Sequence, residues 1–208
     1  MKWFRIPKEE TNKPTKGTYS DWKEALSIEG KQQCVYCAIN IKSFGGLRNF
    51  HVEHYKPKDK KYFPELTNEF SNLFFSCSIC NCFKGNDWHD EPTEHLGGKF
   101  YPDPSVINYS DFLTNDCDFV VQSDSKTGNY IINKIYLNRP QLVMERRSKS
   151  LHMELLQESE ELRNVLLSFK ETDSENPLLA PFISVVEAEI LLIKEKFINP
   201  YFDKDIKR

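Results

Sequence analysis

Cys77-Ser78-Ile79-Cys80-Asn81-Cys82-Phe83-Lys84-Gly85 is the stretch whose reading decides the fold, taken together with Cys34-Val35-Tyr36-Cys37 upstream. The two C-x-x-C knuckles have 39 residues between them. Each presents two sulfurs to one point, and thiolates suit the borderline-soft zinc ion, so Cys34, Cys37, Cys77 and Cys80 can close a tetrahedral site. One pair alone would equally fit buried thiols or a redox C-x-x-C. Two pairs framing a polar cluster favour metal. Four thiolates fill the coordination sphere and leave no position for water, so this zinc is expected to be structural. Cys82 and Cys117 lie outside the pattern and are expected to be small buried hydrophobes.

The segment between the knuckles carries His51-Val52-Glu53-His54-Tyr55-Lys56-Pro57 and, just ahead of the second knuckle, Asn72-Leu73. Residues 50–55 alternate as a strand, Gly45-Gly46 marks a turn, and residues 71–84 read as a loop passing into a helix. Residues 31–90 thus form one module. Upstream, residues 1–30 read as an arm and a short helix. Lys2, Arg5, Lys8, Lys13 and Lys16 with two prolines suggest an extended, partly mobile arm, basic for solubility rather than for phosphate contact. The helix runs from Ser20, its cap, to about Ile28, with Trp22, Ala25 and Leu26 on one face.

Downstream, residues 91–138 read as an irregular connection across the surface, followed by a β-hairpin over 118–137, where Phe119-Val120-Val121 and Tyr130–Leu137 flank a polar turn. Residues 139–208 read as a helical pair broken at Asn176-Pro177, with apolar residues such as Leu142, Leu151, Leu162, Val165 and Leu166 at helical spacing. This region is a candidate partner-binding surface. Arg139, Arg146, Arg147 and Lys149 form a basic cluster at its start that faces either DNA or a protein partner. The fold class is therefore α+β.

With 39% hydrophobic and 28% charged residues, the composition is that of an ordinary soluble globular chain. Its apolar runs are too short to span a bilayer, and residues 1–7 lack a signal-peptide core, so a cytoplasmic location and no membrane partner are expected. Six cysteines in such a compartment point to metal before disulfides. A net charge of −3 excludes coating nucleic acid by bulk charge and restricts any grip on it to local Lys/Arg footprints.

The ordered set formed by the first knuckle, Glu53-His54 with Pro57, Asn72, the second knuckle, and Asn81 with Lys84 resembles the zinc-bearing HNH endonuclease superfamily. The resemblance implies a ββα-metal core, two strands and a helix around one divalent ion, over about residues 31–86. Glu53 stands where many members carry Asp, and Asn81 where many carry His. Both offer oxygen to a hard cation, which shifts the expected catalytic metal toward Mg²⁺ or Mn²⁺. Asn72 is expected to pin the loop and orient His54, as its counterpart does in the family. Phosphodiester hydrolysis needs a deprotonated water, and an imidazole is a suitable acceptor for that proton, so His54 is the expected general base. His54→Ala is expected to leave folding intact. Lys56 and Lys84, adjacent to these residues, are the expected phosphate contacts. His51 shares a strand face with Glu53 and either assists the metal or is a plain strand histidine.

A wider pattern, adding Tyr101-Pro102-Asp103-Pro104 and Leu137-Asn138-Arg139-Pro140-Gln141-Leu142, resembles the HNH proteins of retron-associated and Septu anti-phage defence systems. That resemblance implies an effector nuclease acting on DNA beside an ABC-type ATPase. The rival reading is a non-catalytic zinc-ribbon module that binds nucleic acid or protein without cutting.

Overall fold

The strand expected at residues 50–55 is β1 (Phe50–His54), and it pairs antiparallel with β2 (Leu73–Cys77) in the register Phe50↔Cys77, Val52↔Phe75 and His54↔Leu73. In this computed structural model, residues 2–172 and 179–202 are described, with side chains given through 168 and over 181–192. Leu73–Cys77 is buried along its whole length, not a loop, because both of its faces are covered. Alternation is absent from a strand buried on both sides, which hides it from periodicity. On one face the Phe50 and Phe75 rings stack at 4.5 Å. Helix α2 (Ser78–Lys84) follows β2 without a break, its first turn held by the Cys77 sulfur accepting from the Cys80 amide.

Helix α1 (Lys23–Glu29) packs against both strands. Ser20 does not cap it, because Tyr19–Asp21 forms a separate 3-10 turn and Trp22 occupies the cap position. Trp22 and Leu26 are buried as expected.

The N-terminal residues are not a mobile arm. Trp3 and Ile6 are buried in the main core, the Trp3 indole donates to the Tyr36 carbonyl at 2.7 Å, and Lys8 is buried in an ion pair with Glu29. Burying an indole and an aliphatic side chain stabilises this segment by several kcal/mol, on the order of 1.5–3 for each, which outweighs the entropy favouring an arm.

The hairpin expected over 118–137 is also corrected. A two-residue ladder joins β3 (Thr114–Asn115) to β4 (Val121–Gln122), and the remainder is helix α3 (Lys126–Ile135). Ser125 caps α3 through its hydroxyl, which accepts from the Gly128 amide at 2.9 Å, and Ile131, Ile132 and Ile135 fall on its buried face. Those three isoleucines sit one and four residues apart, a helical period that outweighs their β-branching. The connection over 91–117 is irregular yet not confined to the surface, because Phe100, Tyr101, Tyr109 and Leu113 are buried.

The chain divides into two compact units, Met1–Arg147 and Ser148–Arg208. Helix α4 (Pro140–Thr172) begins in the first, where Leu142 and Arg146 are buried. The second holds the rest of α4 and α5 (Leu179–Phe202), with Leu166, Ile183 and Ile190 in a small buried cluster. Leu151, Leu162 and Val165, expected on an inward face, are exposed. The expected break at Asn176-Pro177 lies outside the described residues. Among those residues no helix is long and apolar enough to cross a membrane.

Candidate active site and metal centre

The two knuckles meet. Cys34 and Cys37 come from the turn after α1, Cys77 ends β2, and Cys80 lies in the first turn of α2; their four sulfurs all lie within 4.8 Å of one another and are buried. A tetrahedron of Zn–S bonds has sulfur–sulfur edges of about 3.8 Å. The Cys37 and Cys77 sulfurs stand 3.8 Å apart. Burial and the neighbouring thiols push the Cys37 and Cys80 thiols well above their ordinary range. At Cys34 burial acts in the same direction but is outweighed by hydrogen bonds from the other three, which hold it low. Four sulfurs so placed ionise together only around a cation, so the donor set fits zinc. Among the described residues this is the one such cluster of cysteine, histidine and carboxylate groups. Cys82 and Cys117, expected to be buried, are both exposed.

Beside this centre lies a pocket of about 450 Å³ whose walls include Glu53, His54, Asn81, His51, Lys58 and Tyr19. β1 carries Glu53 and His54 on opposite faces, and both are buried, at 3% and 9% exposure. The His54 Nε2 lies 3.0 Å from the Thr67 carbonyl oxygen, and the Tyr19 ring meets the imidazole edge-on at 4.8 Å. A carbonyl only accepts, so Nε2 carries the hydrogen and the neutral ring keeps its lone pair at Nδ1. Burial, followed by the charges of Lys58 and Lys84, lowers the His54 pKa to about 4 against the opposing Thr67 bond. The imidazole is therefore neutral at pH 7.

Asn72 clasps the loop after β1. Its Oδ1 accepts from the Lys56 amide at 2.7 Å, and its Nδ2 donates to the Lys56 carbonyl at 2.9 Å. Those bonds fix the backbone two residues beyond His54.

Lys84 is not a phosphate contact. Its side chain is fully buried, pairs with Glu53 Oε1 at 2.8 Å and donates to the His54 carbonyl at 3.1 Å. Burial raises the Glu53 pKa, while Lys84 and the Tyr36 hydroxyl, 3.1 Å from the same oxygen, oppose that rise. Lys56 does not line the pocket either, its ammonium lying over the Phe63 and Trp88 rings at 5.5 and 5.9 Å. The cations on the pocket wall are Lys23 and Lys58. In the sequence Lys58 is one of four lysines after His54, a run that gives no sign of which one turns inward, and Lys23 lies on a helix remote from the motif.

Two of the four residues in the basic cluster at the start of α4, Arg139 and Arg146, are also spent internally, while Arg147 is exposed. Arg146 is buried and donates to the Phe119 carbonyl at 3.0 Å and to the Leu137 carbonyl. Arg139 turns its guanidinium onto the cysteine sulfurs.

Fold and site together define a mixed α/β domain stapled by a Cys₄ metal centre, with a neutral buried histidine in an adjoining polar pocket. Residues 34–87 match the family model for HNH endonuclease, which supports the superfamily for this segment and with it a nuclease or nucleic-acid-binding role. No curated protein and no solved structure matches the chain.

Proposed function

We propose that this protein is a metal-dependent HNH endonuclease that hydrolyses DNA phosphodiester bonds, with the β1–β2–α2 unit as its ββα-metal core. The observation that carries this reading is His54, held neutral, with Nε2 committed to the Thr67 carbonyl, in the pocket it shares with Glu53 and Asn81. A histidine fixed at one nitrogen has the other as a directed base.

His54 Nδ1 takes the proton from a water as the water oxygen bonds to phosphorus. The bond from phosphorus to the 3′ oxygen breaks, and that oxygen takes a proton from solvent. Glu53 and Asn81 supply hard oxygen donors for Mg²⁺ or Mn²⁺, whose chemistry is Lewis-acid stabilisation of the charge on the phosphoryl and leaving oxygens. Lys84 opposes the rise that burial imposes on the Glu53 pKa and so favours its carboxylate form. Asn72 holds the loop that places His54. Lys23, whose ammonium also donates to the Phe50 carbonyl at 2.9 Å, and Lys58, whose ammonium also lies 3.9 Å over the Tyr19 ring, are the pocket-wall cations that would meet the phosphate backbone without reading sequence. The wider pattern through Tyr101-Pro102-Asp103-Pro104 and Leu137–Leu142 supports the effector role in a Septu-like or retron-associated anti-phage system with an ABC-type ATPase partner, acting in the cytoplasm.

The test is plasmid cleavage by zinc-loaded wild type and His54→Gln, each with and without Mg²⁺ or Mn²⁺. Glutamine keeps an N–H for Thr67 and lacks the base. Metal-dependent cutting that falls by about 10²–10⁴-fold in the variant is the expected result. DNA bound but uncut by folded wild type, with the ATPase present as well, refutes the nuclease in favour of a binding module.

A further inference from the structure

We infer that Arg139 is a working part of the metal centre, a guanidinium that stabilises the zinc-bound thiolates from outside the coordination sphere. Arg139 lies beyond the segment that matches the HNH model, just ahead of α4, yet its Nη2 reaches the sulfurs of Cys80 at 3.6 Å, Cys37 at 3.7 Å and Cys77 at 3.8 Å. Its Nη1 donates to the carbonyls of Ile135 and Tyr136, both at 3.2 Å, where α3 ends. One planar fork thus serves two sets of acceptors, which an ammonium on a flexible stem does not reproduce.

Four thiolates around one dication keep an excess of negative charge, and that charge is buried. A buried charge is stabilised by a paired, hydrogen-bonded counter-charge. Other donors near the sulfurs are uncharged: the Ser76 hydroxyl lies 3.6 Å from Cys34, the Cys80 amide donates to Cys77 at 3.5 Å, and the Cys37 amide faces the Cys34 sulfur. Arg139 is the cation among these contacts, and it touches three of the four ligands. Its contacts set a positive charge and an N–H donor against three of the sulfurs, which favours the charge they carry when they hold zinc. The same contacts tie the centre to the end of α3.

The experiment compares full-length zinc-loaded wild type, Arg139→Met and Arg139→Lys. Zinc affinity is read by competition with a chromophoric chelator, and the thiolate-to-metal charge-transfer band is read after cobalt(II) substitution. Loss of a partner that orients metal ligands weakens binding about 10–100-fold. We expect that loss in Arg139→Met together with a shifted cobalt band, and an intermediate loss in Arg139→Lys, which keeps the charge but not the fork. A folded Arg139→Met with zinc affinity within about twofold of wild type and an unmoved band overturns the inference. Should Arg139→Met fail to fold, Arg139→Lys decides, and affinity equal to wild type overturns it. A wild type that takes up no zinc refutes the Cys₄ zinc site itself, a result separate from any effect of the variants.

Discussion

Replacing Lys84 by Met tests the most consequential contact of the site. The ammonium stands 2.8 Å from Glu53 Oε1, and neither side chain is more than 3% exposed. At that separation the gross attraction is about 6 kcal/mol for an effective dielectric near 20, and most of it offsets the desolvation of the two charges. Removing one partner strands the other, so the loss expected for Lys84→Met is about 3–5 kcal/mol. For a unit of this size that corresponds to a fall in Tm of roughly 6–20 °C. Glu53→Gln should cost a similar amount by stranding Lys84. The double variant should cost less than the sum, with a coupling of at least about 2 kcal/mol. Urea unfolding of the four zinc-loaded proteins gives each value. A phosphate-binding Lys84 would behave differently, losing DNA affinity and salt dependence while stability held. A Lys84→Met cost under about 1 kcal/mol with no coupling to Glu53 would refute the buried pair.

Three further outcomes concern the metal staple and the buried histidine. Cys77→Ser removes a zinc ligand that also caps α2, so zinc content should fall and the first unit should lose its cooperative thermal transition; a zinc-free variant melting like wild type would sink the structural role of the metal. His54 should titrate near pH 4 by NMR, not near 6.5, because burial disfavours its charged form. Its folded pKa is depressed, so the associated stability is fully present above about pH 6.5 and is lost as pH falls toward 4, by roughly 2 kcal/mol after discounting for the ring's partial solvation; stability unchanged over that window would contradict the burial. The same burial corrects the expectation that His54→Ala leaves folding intact, since truncation removes the Thr67 bond and the Tyr19 contact and opens a cavity. Glutamine is the cleaner substitution for that reason.

Spacing alone was enough to bring Cys34, Cys37, Cys77 and Cys80 together, because a C-x-x-C turn aims both sulfurs at one point and two such turns supply the four ligands of a tetrahedral ion. Alternation placed Glu53 and His54 on a strand, while the side-chain to backbone bonds of Asn72, which closes a 3-10 turn over Phe70–Asn72, were what the family resemblance implied. Local signals failed where burial on both faces or a distant partner decides. The β2 residues show no alternation, so their strand was invisible. In α3 the isoleucines carry both a strand propensity and a helical period, and packing of Ile131, Ile132 and Ile135 into the core selects the helix. Trp3 and Ile6 look like any terminal residues until the pocket that receives them exists.

The charged groups show the same division most clearly. A lysine one helical turn past Asn81 or an arginine beside a proline is, as a sequence, a solvated cation. Whether it meets phosphate, a carboxylate or a thiolate depends on which buried anion the fold brings within about 4 Å, since Coulomb attraction and desolvation both change steeply over that distance. Sequence by itself determined the metal staple and the order of the polar residues around it. Tertiary structure alone decided that Lys84 neutralises Glu53, that Arg139 serves the sulfurs, and that His54 is buried and uncharged, because each of those states is set by neighbours far away along the chain.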